Sequence, residues 1–289
     1  MLLKEIKNIF HKELDDLYPV EEVDIFFYRM VEHYLGLERF ILALEPSFTV
    51  SKHEEQPLFE GLAQLKLERP LQYILGETEF MDLKLAVNEQ VLIPRPETEE
   101  LVRWILETER NRSVNSATLN APRILDIGTG SGCIAISLAK NLPKATVHAL
   151  DVSEKALEMA KKNAQKNNVT VNFIHANALE LESLEEHFDI IVSNPPYVRE
   201  MEKKEMETNV LEHEPALALF VTNEKPLLFY EKIAAFAKAN LNQCGTLYFE
   251  VNQYLGKETE QLLKEQDFLE IELRKDMFGN DRMLRGVIN

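Results

Sequence analysis

The sequence predicts an α/β protein in which a domain built on a parallel sheet follows a smaller all-helical domain. Up to about residue 76, apolar residues recur at the spacing of amphipathic helices. From about residue 97 onward, short apolar runs that suit buried strands alternate with segments of helical periodicity. Strands separated by helices indicate a parallel sheet that is covered by helices on both faces.

The region before residue 97 is predicted to contain four helices and a β-hairpin. The helices are expected at residues 2–17, 25–35 and 54–67 and from Pro70 onward, with a break at Pro46-Ser47. Two short segments, 79–86 and 90–93, flank Val87-Asn88-Glu89 and predict the hairpin. We therefore expect a helical domain over residues 1–76, a hairpin linker over 77–96 and an α/β domain over 97–289.

Seven strands and five helices are predicted in the α/β region. The strands are expected at residues 123–127, 146–150, 169–175, 188–193, 246–251, 269–274 and 283–287. The helices are expected at residues 97–110, 134–141, 153–168, 225–243 and 257–266, with a polar loop over residues 111–122.

Composition weighs against several classes of function. The chain has 289 residues, with 32 Lys and Arg against 49 Asp and Glu, and its net charge is −17. Sequence-independent binding to nucleic acid needs a surplus of Lys and Arg, so we do not expect DNA or RNA as the direct substrate. No apolar run approaches the roughly 18 residues of a membrane-spanning helix, and the two cysteines form no disulfide framework. We expect a cytoplasmic protein that acts as a monomer.

A glycine-rich loop follows the first strand of the α/β region and precedes a helix. Gly128, Gly130 and Gly132 have the spacing G-x-G-x-G, which lets the backbone turn tightly and approach a ligand. A dinucleotide fingerprint needs G-x-G-x-x-G, but Cys133 stands at the position of its third glycine. Asp126, just before the loop, would fit poorly beside a pyrophosphate. It suits a ligand that bears positive charge, such as the sulfonium and ammonium of S-adenosylmethionine.

Asp151 closes the second of these strands, nineteen residues after Gly132. The carboxyl ends of neighbouring parallel strands meet at one edge, so a carboxylate there can accept hydrogen bonds from both hydroxyls of a ribose. A tight turn without a ligand is the structural alternative, but it does not explain the glycines together with both acidic residues. The predicted cofactor-binding residues of this region are Asp126, Gly128, Thr129, Gly130, Ser131, Gly132 and Asp151.

The fourth strand is predicted to end in Asn194-Pro195-Pro196-Tyr197. Because two prolines cannot continue a central strand, the chain must leave the sheet here, and the neighbouring carbonyl groups are held rigidly. The side chain of Asn194 adds a further acceptor. Two fixed acceptors match the two hydrogens of a planar NH2 group, and Tyr197 offers a ring face to its plane. A proline-rich turn is the structural alternative for this segment.

This segment suits a difficult methyl transfer. An amide or aryl-amine nitrogen is a poor nucleophile because its lone pair is delocalised. Accepting both of its hydrogens increases the electron density on nitrogen and orients it for in-line attack on a methyl group bound to a sulfonium. The sequence therefore predicts a methyltransferase that acts on a planar nitrogen and needs no metal. Its predicted catalytic residues are Asn194, Pro195 and Tyr197, and its predicted substrate-binding residues are Asn194, Pro195, Pro196 and Tyr197.

With both motifs, the chain resembles the HemK/PrmC family of peptide chain release factor N5-glutamine methyltransferases over nearly its whole length. Further motifs that support the resemblance are RPLQYILGE at residues 69–77, VLIPRPETE at residues 91–99 and His213-Glu214-Pro215. The resemblance implies a helical N-terminal domain that engages the release factor and a seven-stranded, Rossmann-like class I methyltransferase domain. It also implies methylation of the glutamine in the Gly-Gly-Gln loop, with S-adenosylhomocysteine as the second product.

The resemblance assigns roles to individual positions. It implies that residues 128–132 and Asp151 bind S-adenosylmethionine, that Asn194 contacts both cofactor and substrate, and that residues 195–197 hold the glutamine amide. Near the adenine the family has an acidic residue and then an aromatic one, whereas this chain has Asn177 and Ala178. Asn177 is therefore expected to bond adenine without a stacking ring beside it. The glycine-rich stretch that usually follows Glu214-Pro215 is also absent from the sequence.

Other interpretations remain open from the sequence. A methyltransferase acting on an exocyclic amino group of a nucleic-acid base would meet the same hydrogen pattern, although the acidic composition weighs against it. A non-catalytic nucleoside-binding protein would not need the segment from Asn194 to Tyr197. Arg95 is interpreted either as a substrate contact or as a clamp for the linker. Residues 200–207 suit a solvated helix or a lid, and residues 276–282 suit a turn between the last two strands.

Overall fold

The computed structural model describes residues 1–115, 121–206 and 208–289, which form two compact units. The first unit comprises Met1–Gly76 and the helix Thr208–His213, and the second comprises the other described residues from Glu77 onward. The helices are α1 Leu3–Leu14, α2 Val20–Leu35, α3 Ile41–Leu44, α4 Lys52–Leu65, α5 Leu71–Leu75, α6 Pro96–Asn115, α7 Cys133–Asn141, α8 Glu154–Lys166, α9 Thr208–His213, α10 Ala216–Leu219, α11 Leu228–Asn240 and α12 Gly256–Glu265, with a 3-10 helix at Glu200–Glu205. The strands are β1 Glu77–Phe80, β2 Leu83–Ala86, β3 Arg123–Ile127, β4 Thr146–Asp151, β5 Asn172–His175, β6 Phe188–Ser193, β7 Val198–Arg199, β8 Phe220–Val221, β9 Leu241–Glu250, β10 Leu269–Lys275 and β11 Asp281–Val287.

The first unit has an apolar core between α1, α2 and α4. Side chains at helical spacing on these helices are fully buried, among them Ile6, Phe10, Phe27 and Leu58. The rings of Phe10 and Phe27 meet edge to face, with 5.3 Å between their centroids. Together with α5, these helices correspond to the four that the sequence predicts, whereas the short helix α3 was not predicted.

The β-hairpin that opens the second unit differs from the predicted one. β1 and β2 pair antiparallel, so the turn lies at Met81-Asp82 and not at residues 87–89. Both turn residues have positive φ, 51° and 61°, as a tight two-residue hairpin turn requires. Residues 90–93 form an irregular segment and no strand. The predicted turn position was wrong because Met-Asp lacks the Asn-Gly or Asp-Gly signal of such a turn. Without that signal, the sequence of residues 79–86 has the pattern of a single strand.

The second unit is built on a seven-stranded sheet with the strand order β10-β11-β9-β6-β3-β4-β5. β9, β6, β3, β4 and β5 are parallel to one another, whereas β11 runs antiparallel to both β9 and β10. The predicted Rossmann-like α/β fold class is confirmed, and all seven strands overlap their predicted positions. The turn predicted at residues 276–282 joins β10 and β11 as an antiparallel hairpin, so the parallel part of the sheet is confined to β9, β6, β3, β4 and β5.

Some element boundaries differ from the predicted ones. α6 continues to Asn115, so residues 111–115 of the predicted polar loop are helical, while residues 116–120 lie outside the described part of the chain. β9 begins earlier than predicted, at Leu241, and β5 begins later, at Asn172. Boundaries depend on caps and pairing partners, which periodicity alone does not reveal.

Helices cover both faces of the sheet, as the alternation of strands and helices predicts. Successive strand residues belong to opposite clusters, with Ile124 and Ile190 in one and Leu125 and Ile191 in the other. α6, α7 and α8 pack on the first face, and α11 and α12 pack on the second. Among the described residues, no helix combines the length and the apolar character needed to cross a bilayer.

Asn163 on α8 joins the hairpin to the glycine-rich loop through three hydrogen bonds. Its Oδ1 accepts from the Ala86 amide at 2.6 Å, and its Nδ2 donates to the carbonyl oxygens of Ala86 and Ser131, both at 2.9 Å. The side chain is fully buried, so water cannot replace these partners. Asn163 therefore fixes the loop relative to the hairpin.

We expect Asn163→Ala to lower the free energy of unfolding by about 3 kcal/mol, because three buried backbone groups each lose a partner at a cost of about 1 kcal/mol or more. Urea denaturation followed by circular dichroism measures this loss. Asn167→Ala is the matched control, since the Asn167 amide donates to the Lys84 and Asn163 carbonyls from a more exposed position. That control should cost less than about 1 kcal/mol, and equal losses in the two variants would contradict the proposed role of Asn163.

Candidate active site

The carboxyl ends of four sheet strands bring the predicted site together. β3, β4, β6 and β9 end at Ile127, Asp151, Ser193 and Glu250, respectively. The ends of β3 and β6 are joined directly, because the Ser193 hydroxyl donates to the Ile127 carbonyl at 2.7 Å. Ligands of open α/β sheets bind at this edge. The glycine-rich loop, Asp151 and the segment that starts at Asn194 therefore belong to one region of the second unit.

The glycine-rich loop has the geometry of a ligand cradle. Gly128, Gly130 and Gly132 have φ values of 76°, 54° and 84°, which non-glycine residues rarely adopt. No atom outside the adjoining residues lies within 4 Å of the position that a Cβ would take at Gly128 or Gly130, so the space beside them is open. A Cβ at Gly132 would instead lie 2.8 Å from the Ile136 side chain and 3.1 Å from the Ala160 Cβ. The first two glycines leave room for a ligand, and the third lets α7 and α8 pack closely.

Asp126 lies beneath this loop and is fully buried. Its Oδ2 accepts from the Thr129 hydroxyl at 2.6 Å and from the Ala135 amide at 3.2 Å, which fastens the loop to the start of α7. Its Oδ1 has no hydrogen-bond partner among the described residues. Burial raises the pKa of the Asp126 carboxyl to about 7, against the opposing effect of these two hydrogen bonds. A cationic ligand nearby would compensate the buried charge.

Asp151 is held in place from two sides. Its Oδ2 accepts from the Gly130 amide and its Oδ1 accepts from the Ser153 amide, each at 2.9 Å. Each carboxylate oxygen can accept a further hydrogen bond, so the pair can still receive two ribose hydroxyls. The open cradle, the unpartnered oxygen of Asp126 and the fixed carboxylate of Asp151 together fit S-adenosylmethionine.

The segment after β5 begins beside Asp151, because the Ala176 amide donates to the Asp151 carbonyl at 3.1 Å. The Asn177 side chain is engaged locally: its Nδ2 donates to Glu180 at 2.8 Å, and its Oδ1 accepts from the Leu179 amide at 3.1 Å. Ala178 is partly buried against the apolar cluster beneath α11 and α12. A contact between these residues and adenine stays a prediction, and any bond from Asn177 would use its second amide hydrogen or second lone pair.

The Asn194 side chain has a defined orientation. Its Nδ2 donates to the Thr98 hydroxyl oxygen at 3.2 Å, and its Oδ1 has no hydrogen-bond partner among the described residues. The Thr98 hydroxyl in turn donates to Oε2 of Glu250 at 2.6 Å. The Tyr197 hydroxyl donates to the other oxygen of the same carboxylate at 2.9 Å. Burial raises the pKa of the Tyr197 phenol well above its usual value, so this side chain is a neutral donor.

Asn194, Pro195 and Tyr197 line a small pocket with a volume of about 50 Å³. The remaining lining residues are Leu92, Arg95, Val198, Ala218 and Leu219. Pro196 does not line it but sets the chain direction between two residues that do. The pocket therefore contains the three residues predicted to be catalytic.

The surroundings of Arg95 bear on both roles that the sequence leaves open for it. Its guanidinium lines this pocket and also pairs with the Glu214 carboxylate, whose side chain is only 1% exposed. The pair joins the motif at residues 91–99 to the motif at residues 213–215. Arg95 thus has a structural partner within the second unit and a surface that a substrate can reach.

Thr98, Glu250 and Arg282 contact predicted residues of the pocket but were not themselves predicted. Thr98 lies in a motif that was used only for the family resemblance, and Glu250 is a charged residue at the end of a buried strand. Arg282 lies in the segment interpreted as a turn, and it bonds the Asp276 carboxylate at 3.1 Å and approaches the Tyr197 hydroxyl at 3.5 Å. A buried acidic residue ending an apolar strand is the sequence signal that points to Glu250.

The described ranges contain no group of three or more His, Cys, Asp or Glu residues arranged to hold a metal ion.

Comparisons with known proteins agree with this arrangement. Residues 113–218 match the family model described as Methyltransferase small domain. The chain is 52% identical over 285 residues to the release factor glutamine methyltransferase of Flavobacterium psychrophilum, which covers 99% of both chains. It is 41% identical to the protein of the same name from Bacteroides thetaiotaomicron, over 98% of this chain and 99% of that one. The predicted family resemblance is confirmed.

Solved structures with a similar fold are also methyltransferases. A methyltransferase from Pyrococcus furiosus has a TM-score of 0.50 at 18% identity, covering 82% of this chain and 98% of that chain. The T. thermophilus 16S rRNA N2 G1207 methyltransferase, solved with AdoMet and guanosine, has a TM-score of 0.50 at 19% identity. The match covers 74% of this chain and 50% of that chain. At such identities the likeness supports the fold alone.

Proposed function

We propose that this chain, which belongs to the family of release factor glutamine methyltransferases, transfers a methyl group from S-adenosylmethionine to the side-chain amide nitrogen of a glutamine. The proposed substrate is the glutamine in the Gly-Gly-Gln loop of peptide chain release factors. The observation that supports this most directly is the orientation of Asn194. Its Nδ2 is occupied by Thr98, so its Oδ1 is the end that can accept a hydrogen from a substrate amide.

The pocket supplies what a weak amide nucleophile needs. In the proposed complex, Oδ1 of Asn194 and the Pro195 carbonyl accept the two hydrogens of the glutamine NH2 group, and the Tyr197 ring lies against its plane. Bound S-adenosylmethionine supplies an electrophilic methyl group on its sulfonium and leaves as S-adenosylhomocysteine. Fixed acceptors hold the nitrogen in line with that carbon, and positioning of this kind lowers the barrier without a covalent intermediate. The methylated nitrogen is acidic and returns a proton to solvent.

The proposed function also assigns a role to each of the three regions of the chain. We propose that residues 1–76 engage the release factor, that residues 77–96 link the two parts, and that residues 97–289 perform the transfer. The glycine-rich loop, Asp151 and the Asn194 segment all belong to one unit of a single chain. A monomer in the cytoplasm is therefore the proposed active species.

Transfer of label from radioactive S-adenosylmethionine to a purified release factor tests the function. We expect label in the Gly-Gly-Gln peptide, located on glutamine by mass spectrometry, and none in a release factor whose loop glutamine is replaced by alanine. RNA and DNA are offered in parallel, because a base amine presents the same hydrogens as an amide. Label on nucleic acid with an unmodified release factor would overturn the proposal in favour of a base methyltransferase.

The pH dependence of cofactor binding tests the role of Asp126. The carboxyl is largely protonated below its pKa of about 7 and charged above it. A cationic ligand favours the charged form, so the affinity for S-adenosylmethionine should rise about tenfold between pH 6 and pH 8. Calorimetric titration at both pH values measures this change, with Asp126→Asn as the control, because its amide does not titrate. A wild-type change no larger than that of Asp126→Asn would contradict the assignment.

A further inference from the structure

We propose that Glu250 is a positioning residue that sets the polarity of the Asn194 amide through the Thr98 hydroxyl and fixes the Tyr197 ring with its second carboxylate oxygen. This inference rests on the proposed function, since it concerns how the same pocket accepts an NH2 group. Glu250 ends β9 and is only 1% exposed, so it acts from behind the pocket and not on the substrate.

The orientation of the Asn194 amide depends on the single hydrogen of the Thr98 hydroxyl. That hydrogen is donated to Oε2 of Glu250 at 2.6 Å, so the Thr98 oxygen can only accept on its other side. Asn194 must then present its NH2 end to Thr98, as it does at 3.2 Å. If Thr98 instead donated to Asn194, the amide would turn around and present hydrogens toward the substrate NH2 group. The two sets of hydrogens would repel each other.

The second carboxylate oxygen of Glu250 holds the Tyr197 side chain. It accepts from the Tyr197 hydroxyl at 2.9 Å, which fixes the ring that is proposed to lie against the glutamine amide. Arg282 approaches the same hydroxyl at 3.5 Å and is itself paired with Asp276 at 3.1 Å. Asn194 and Tyr197, two of the three residues that are proposed to hold the substrate amide, therefore depend on one carboxylate.

A purely structural role explains the burial of Glu250 poorly. Taking a carboxylate out of water is costly, and burial raises the pKa of Glu250 against the bonds from Thr98 and Tyr197. Apolar residues in place of Glu250 and both of its hydroxyl partners would often stabilise such a buried site equally well. A carboxylate at this position is accounted for by its need to accept from two hydroxyls at once. A glutamine side chain cannot accept at both terminal positions, because an NH2 group that only donates replaces one of the two oxygens.

Two matched substitutions at Thr98 test the relay. Thr98→Ser keeps the hydroxyl, whereas Thr98→Val keeps the shape and removes it. We expect kcat with the release factor to fall on the order of 10²-fold in Thr98→Val and in Glu250→Gln, and to stay within about threefold of wild type in Thr98→Ser. The Kd for S-adenosylmethionine should change far less than kcat in all three variants, because most of the predicted cofactor contacts come from the glycine-rich loop and Asp151, which the relay does not reach. The double variant should lose little more than either single one, since both remove one relay.

A second measurement does not depend on the substrate. The side-chain 15N and 1H signals of Asn194, assigned by nuclear magnetic resonance, should shift in Thr98→Val and in Glu250→Gln and stay close to wild type in Thr98→Ser. Equal kcat values for Thr98→Val and Thr98→Ser, or Asn194 signals that do not respond, would overturn the inference. If wild type leaves glutamine unmethylated, the proposed function fails while the Asn194 signals still decide the relay.

Discussion

Replacing Asn194 by alanine is expected to lower kcat for glutamine methylation by about 10²- to 10³-fold, the effect of removing one fixed hydrogen-bonding group that acts in the transition state. The substitution removes the acceptor that Thr98 leaves available, so the substrate NH2 group keeps only the Pro195 carbonyl. The bound nitrogen then retains more of its amide delocalisation and is less well aligned with the methyl carbon. Single-turnover transfer from labelled S-adenosylmethionine measures the chemical step directly.

Asn242→Ala is a suitable control for this loss. Asn242 lies near the start of β9, where its amide donates to Asp189 at 3.0 Å, and it does not line the pocket. We expect it to leave kcat unchanged at equal folded fraction. A kcat for Asn194→Ala within a few-fold of wild type would show that the Asn194 side chain is not the acceptor.

Gly130→Ala is expected to raise the Kd for S-adenosylmethionine by about 10- to 100-fold, because overpacking by a methyl group costs about 1–3 kcal/mol. The Cβ would enter the open space beside Gly130, where the protein itself has no atom within 4 Å. Its φ of 54° also strains any side chain, which should lower the free energy of unfolding by about 1–2 kcal/mol. Calorimetric titration separates the first effect from the second.

Gly279→Ala provides the comparison for backbone strain. Gly279 has a φ of 86°, and the space beside it is open as well, but it lies in the turn between β10 and β11. We expect this variant to lose similar stability and to keep wild-type affinity for the cofactor. If both variants bind S-adenosylmethionine equally well, the cradle beside Gly130 is not the cofactor site.

Short apolar runs in the sequence predicted those residues of the candidate active site that lie at the ends of strands. Asp126, Asp151 and Asn194 each follow or close a short apolar run, and parallel strands bring their carboxyl ends to one edge. Thr98 and Glu250 escaped prediction because they stand 152 residues apart and meet only through tertiary packing. The partner of a buried carboxylate is not visible in periodicity, although an acidic residue ending an apolar strand indicates that one exists.

For the fold, too, local patterns were predicted from the sequence and contacts between distant segments were not. Apolar runs located the strands of the sheet and the turn between the last two, whereas the turn at Met81-Asp82 and the pairing of β11 with β9 were not predicted. A two-residue turn without glycine or asparagine gives a weak signal, and a buried strand has the same composition in either direction. The sequence leaves undetermined which strands pair with each other in the sheet.

The place of β11 between β9 and β10 imposes an order on folding. β10 is made earlier than β11 on the ribosome, yet within the sheet its backbone pairs with β11 alone. Until residues 281–287 emerge, β9 keeps an unpaired edge, and β10 has no strand to join. Such an edge is a template for intermolecular pairing. Completion of the sheet therefore waits for the late arrival of a single strand, and a nascent chain stalled before it would be especially prone to aggregate.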